Sequence, residues 1–225
     1  MTIETSIQER GITEVLHFTT NRGLVGSLAS KSLLSRPLVG EDAYLRHVLQ
    51  LNSENRPEKS AFFDKSEDWI RFVNLSVSEI NRRFFEFSLR WHTNDDVWWC
   101  ILAFSPEIMT HEGVWFATTN NGYDECERDR GEEGFDALFA ECIRRKAHGA
   151  GGRPWDVRRH GRSDNLPTCE QAEVLYPERL SLSYLNHVYV QKAEHHDTAV
   201  GWLDEFEYSG VTVSVSPQKF LGKKN

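Results

Sequence analysis

A chain of 225 residues can bury a full hydrophobic core as one domain, and nothing in its length requires two. Hydrophobic residues at 39% and aromatics at 12% exclude an intrinsically disordered chain, while a formal charge of −8 excludes a protein that simply coats nucleic acid through bulk phosphate attraction. No apolar run approaches bilayer-spanning length, and the polar N-terminal stretch MTIETSIQERGITEV lacks the apolar core of a secretory signal, so a cytoplasmic protein with no membrane partner is expected.

Taken in chain order, GITEVLHF (11–18) has the β-branched and aromatic content of a first strand, with His17 near its end. Leu24 to Leu34 then reads as an amphipathic helix and Asp42 to Leu51 as a second, with Asp42 as N-cap candidate. NSENRPEKS (52–60) is a polar loop holding Arg56 before Pro57. WIRFVNLSV (69–77) reads as a strand and SEINRRFFEF (78–87) as a helix capped by Ser78. The apolar run VWWCILAF (97–104), bounded by Asp95-Asp96 and Pro106, has the pattern of a buried central strand. Shorter strands are expected at 113–118, 171–175 and 186–191, and VTVSVS (211–216) alternates as a strand with one wet face does. From about 120 to 168 lies a long, glycine-rich, charged insertion whose helical candidate is Phe135 to Lys146.

Late strands without βαβ alternation argue for an α+β fold, a single domain over 1–225 with a central mixed or antiparallel β core and N-terminal helices. The one glycine cluster, Gly149 to Gly152, lacks the preceding strand and downstream acid of a Rossmann site. Cys100, Cys126, Cys142 and Cys169 form no CxxC pair, and His195-His196 are adjacent with no HExxH spacing, so no metal is expected. Charge is segregated: Arg144 to Arg162 holds seven cations against Asp156, and Asp124 to Asp136 holds seven acids against two arginines. Such a basic segment suits either a brief encounter with a polyanion or pairing with the acidic stretch before it.

The order and spacing of several segments resemble the DarT DNA ADP-ribosyltransferase toxins of bacterial toxin–antitoxin systems. LHFTTNRGLVGSLASKSLLSR (16–36) is similar to the family's opening, VWWCILAFSPEI (97–108) with GVWFATTNN (113–121) to its paired core strands, and NLPTCEQAEVLYPERLSL (165–182) to its catalytic "QAE" strand. GWLDEF with VTVSVS resembles its C-terminal close. The resemblance implies NAD as co-substrate, single-stranded DNA as acceptor, and a cognate antitoxin with ADP-ribosyl-hydrolase activity as partner.

Glu173 is the only acid in the stretch 172–175, and a carboxylate in so apolar a setting is misplaced, paired or working. ADP-ribosyl transfer passes through an oxocarbenium-like ribose that a carboxylate stabilises, and the resemblance gives Glu173 this catalytic role. It also implies that His17 and Thr19 bind NAD and that Arg56 is the catalytic arginine, clamping the pyrophosphate of NAD or steering the acceptor base, with Arg46 and Arg71 competing for that place. Where thymidine-modifying members carry an aromatic "VPFYF" strand, this chain reads RFVNLSVSEINRRFF (71–85), and guanosine is the acceptor expected from a divergent branch. Arg153, Arg158 and Arg159 would track the phosphates of the strand while Trp155 stacks on a base. Two other functions compete: the same chemistry on an RNA or protein acceptor, and a non-catalytic nucleic-acid-binding module that would survive loss of Glu173.

Overall fold

The computed structural model describes residues 2–41, 67–90, 96–146 and 153–225. Its framework is an eight-stranded sheet in the order β12-β11-β4-β1-β3-β9-β5-β6, in which every pairing is antiparallel except the edge pair β11 and β12. These strands are β1 (Val15–Thr20), β3 (Phe72–Val77), β4 (Trp99–Phe104), β5 (Trp115–Ala117), β6 (Arg128–Arg130), β9 (Glu173–Pro177), β11 (Leu185–Val190) and β12 (Thr212–Val215). Two small ribbons flank it: β2 (Ser32–Leu34) pairs with β10 (Arg179–Ser181), and β7 (Cys142–Arg145) pairs with β8 (Trp155–Arg158). An α+β fold with a mostly antiparallel core and N-terminal helices is therefore what the chain adopts.

Strand alternation divides the side chains between two faces. Val15 of β1, Val73, Leu75 and Val77 of β3, Cys100, Leu102 and Phe104 of β4 and Val174 of β9 join the main core. Over that face pack α1 (Ile3–Glu9), α2 (Asn21–Ser30), α5 (Gly131–Ala137) and α6 (Ala193–Glu205), which contribute Ile7, Leu24, Leu28, Phe135, Ala199 and Leu203. The opposite face carries two separate clusters. Leu16, Trp99 and Ile101 pack against Phe85 of α4 (Arg82–Leu89) and Phe220, while Leu175, Ala117 and Cys126 pack with Trp69, Phe72 and Trp115.

Local chemistry explains where the elements depart from the sequence reading. The helix expected at 24–34 begins at Asn21, because the Thr20 hydroxyl accepts from the Gly23 N–H, and stops at Ser30 because Lys31 takes a left-handed φ of 54°. Ser32 to Leu34 then becomes a strand, and a short helix, α3 (Arg36–Glu41), follows it. Ser78 caps nothing; it sits at φ 61°, and Asn81 caps α4 through its side chain on Phe84 N at 3.0 Å. The helix expected over 135–146 lies at Gly131–Ala137, and Cys142–Arg145 is strand, its alternating exposed and buried residues fitting period 2. The histidine pair 195–196 falls in α6, a helix absent from the sequence reading. Asp42 to Leu51, Arg46, Arg56 and the glycine cluster 149–152 lie outside the described residues.

Candidate active site

Strand β1 pairs with β4 along its whole length, from Val15↔Phe104 to Thr20↔Trp99, but pairs with β3 only at Val15↔Val77 and Leu16↔Ser76. Beyond Leu16 the ladder between β1 and β3 ends, and His17 is the first residue past it. Its Nδ1 lies 2.9 Å from the backbone oxygen of Asn74 on β3. A carbonyl cannot donate, so Nδ1 carries the proton and Nε2 of the neutral ring presents a lone pair. Desolvation lowers the His17 pKa, more than the Asn74 hydrogen bond raises it, although the residue keeps partial solvent contact. Thr19 follows two residues on, on the same side of β1, against the first turn of α2; a Cβ at Gly23 would come 1.9 Å from its Oγ1.

Glu173 opens β9, on the far side of β3 from β1. It is 7% exposed and well partnered: Oε2 accepts from Asn74 Nδ2 at 2.8 Å and from the Asn121 backbone N–H at 2.9 Å. The register explains the first contact. Asn74 is opposite Leu175, so Glu173 is its diagonal neighbour two residues along β9 on the same face. Of the three readings open to this acid, the paired one is therefore a fact of the structure, and pairing through N–H donors holds the carboxylate in one orientation. Asn74 thus links the two sequence-predicted residues, His17 through its main chain and Glu173 through its side chain.

The second donor belongs to the loop after β5, and Arg128 on β6 holds that loop. Its Nε donates to Asn121 Oδ1 at 2.5 Å and its Nη1 to the Cys126 carbonyl at 2.9 Å, and Nη2 donates to the Asn121 carbonyl. Asn74, Asn121 and Arg128 carried no site signal in the sequence reading. A polar residue in a strand bracketed by Val73 and Leu75 was the available clue for Asn74.

The predicted DNA-binding residues do not form one surface. Arg153 and Arg158 are exposed. Arg159 is committed elsewhere: its side chain is 10% exposed, and its guanidinium donates to the carbonyls of Leu166 at 2.8 Å, Ser163 at 3.1 Å and Asp164 at 3.3 Å. It ties down the loop before Glu173. Trp155 is half-buried, with the Arg145 guanidinium 4.9 Å from its ring centroid, so it is not an open platform. Arg144 reaches Glu125 at 2.9 Å and Lys146 reaches Asp124 at 3.6 Å, so part of the basic segment does pair with the acidic one. Arg71 is exposed at the threshold of β3. Among the described residues no group of His, Cys, Asp or Glu is placed to hold a metal, and no helix is long and apolar enough to cross a membrane.

This sheet is shared with solved ADP-ribosyltransferase structures. Thermus sp. 2.9 DarT in complex with carba-NAD+ superposes with a TM-score of 0.58 at 12% identity, over 92% of this chain and 97% of that one. The same Thermus protein in complex with ADP-ribosylated ssDNA gives 0.57 at 12% identity, over 93% and 96%. Thermosipho africanus DarTG in complex with ADP-ribose gives 0.57 at 15% identity, over 95% of this chain but 52% of that one, so the chain spans about half of that protein. At such identities the likeness establishes the fold. No curated protein matches the sequence. The family model described as ssDNA thymidine ADP-ribosyltransferase, DarT, matches residues 16–221, and the chain belongs to that family. By that membership it is a DNA ADP-ribosyltransferase.

Proposed function

We propose that this protein cleaves the nicotinamide–ribose bond of NAD and transfers the ADP-ribose to a base of single-stranded DNA, with Glu173 as the catalytic carboxylate. The observation that carries this reading is the Asn74 link, which joins His17 and a buried, donor-held Glu173 where the β1–β3 ladder ends. As the glycosidic bond breaks, nicotinamide leaves with the bonding electrons and its ring charge is neutralised. The positive charge moves to ribose C1′ and O4′, where a fixed carboxylate stabilises it without reorganising. A nucleophilic atom of the base then bonds to C1′ and loses its proton, which Glu173 receives.

His17 supports this through its lone pair: with Nδ1–H spent on Asn74, Nε2 accepts a hydrogen from a ribose hydroxyl or the nicotinamide amide. Thr19 contributes a hydroxyl beside it, and Arg56 neutralises the pyrophosphate. Arg153 and Arg158 serve the phosphates of the strand, and Trp155 lends the rim of its ring. Guanosine is the preferred acceptor in this reading, because FVNLSV replaces the aromatic strand of thymidine-modifying members and places Asn74 beside Glu173. The physiological role is that of a toxin, paired with an antitoxin that hydrolyses the ADP-ribose from DNA.

Purified protein incubated with labelled NAD and separate DNA, RNA and protein acceptors tests the reading. Label on single-stranded DNA, lost in Glu173→Ala, is the expected result; label on RNA or protein alone overturns the acceptor. Oligonucleotides with guanine or thymine as their sole modifiable base decide between the two bases, and label confined to thymine overturns the guanosine preference.

A further inference from the structure

Directly opposed residues of neighbouring strands share a face, and one such row crosses the edge of the sheet: Glu173 on β9, Ala117 on β5 and Arg128 on β6. Two strand spacings separate its ends, about 10 Å. The methyl group of Ala117 leaves the space between them open, and the loop 118–127 folds into it. Asn121 there is 2% exposed and faces both ends of the row. Its backbone N–H donates to Glu173 Oε2 at 2.9 Å, while its side-chain and backbone oxygens both accept from Arg128. A third donor of the same guanidinium holds the Cys126 carbonyl, and the Trp69 ring covers the group at 5.0 Å.

We propose that Arg128 is a positioning residue for Glu173, acting through Asn121. A backbone N–H aims where its peptide plane aims; the Asn121 N–H lies in the plane shared with Asn120, and the guanidinium fork fixes Asn121 from the other side of the same Cα, through its side chain and through its carbonyl in the next plane. The fork is planar and rigid, which a lysine ammonium cannot reproduce. In this proposal neither Asn121 nor Arg128 contacts substrate. Their effect is to hold the carboxylate where charge develops, so it falls on turnover and not on NAD affinity.

The inference rests on Glu173 acting in the transfer, and the test separates the two. Steady-state transfer from NAD to a single-stranded oligonucleotide carrying all four bases is measured for Arg128→Ala, Arg128→Lys, Asn121→Ala, the Arg128→Ala/Asn121→Ala double variant, Arg130→Gln and Glu173→Gln. Arg128→Ala should lose kcat on the order of 100-fold with KM for NAD within about twofold of the parent, since misplacing a catalytic group by an ångström has about that cost. Arg128→Lys should not rescue it. Asn121→Ala should lose kcat likewise, and the double variant should be no worse than the poorer single one, as for two residues on one path. Arg130→Gln, whose guanidinium lies over Trp115, should behave as the parent. A kcat for Arg128→Ala within about threefold of the parent, a change confined to KM, or losses that multiply in the double variant would overturn the proposal. Should Arg128→Ala fail to fold, Asn121→Ala decides alone: unimpaired kcat overturns the relay. An active Glu173→Gln sinks the assignment of the carboxylate, whereas an inactive Glu173→Gln beside an active Arg128→Ala sinks the relay only.

Discussion

Replacing Glu173 by Ala removes the oxygen that accepts from Asn74 Nδ2 at 2.8 Å and from Asn121 N at 2.9 Å. Both donors are left in a site where the acceptor itself is 7% exposed. A buried donor stripped of its acceptor costs about 1–3 kcal/mol, so two cost about 2–6 kcal/mol. Against this stands the relief of no longer burying a carboxylate, itself worth a few kcal/mol. The balance is a destabilisation of about 2 kcal/mol, or about 4–8 °C in unfolding midpoint for a chain of this size. Glu173→Gln keeps a carbonyl oxygen in place and should unfold closer to the parent, while both variants should lose transfer. Differential scanning calorimetry at neutral pH, run beside the labelled-NAD assay, reads both quantities. An Ala variant that melts at or above the parent would show that carboxylate burial outweighs the two hydrogen bonds, and the energetic reasoning fails. Retained transfer would fail the catalytic reasoning separately.

Three further expectations follow from the same contacts. His17, His187 and His195 all have pKa values lowered chiefly by desolvation, so the folded state takes up fewer protons than the unfolded chain. Their contribution to stability is present above the unfolded value of about 6.5 and is lost as pH falls through the folded values; urea titrations from pH 7.5 to 5.5 should show it, and a His17→Gln variant with an unaltered slope removes His17 from the account. Gly23→Ala should weaken NAD binding through Thr19, whose hydroxyl lies 1.9 Å from the added Cβ, and calorimetric titration with parental affinity would refute this. The arginines of the basic segment should divide: Arg153→Ala with Arg158→Ala flattens the salt dependence of single-stranded DNA affinity by roughly 0.7 per lost contact. Arg159→Ala instead lowers the unfolding free energy by about 2–3 kcal/mol and leaves the salt slope alone, because its donors go to carbonyls of 163–166.

Local patterns made much of this protein legible from its residues. The apolar run at 97–104 became the fully buried β4, and the alternating VTVSVS became the edge strand β12, because period and composition are properties of contiguous residues. His17 near a strand end and Glu173 in an apolar stretch were visible for the same reason. Helix boundaries were less so: Lys31 and Ser78 adopt positive φ, and nothing in their identity asks for it. Only the tertiary structure decided how the site is assembled. His17 meets Asn74 across 57 positions, Asn74 meets Glu173 across 99, and Asn121 meets Glu173 across 52. Hydrogen bonds between residues so far apart depend on strand order and register, which no local period encodes. The same holds for Arg128 and Arg159, two arginines alike in sequence, whose roles follow from which carbonyls the fold brings within reach of each guanidinium.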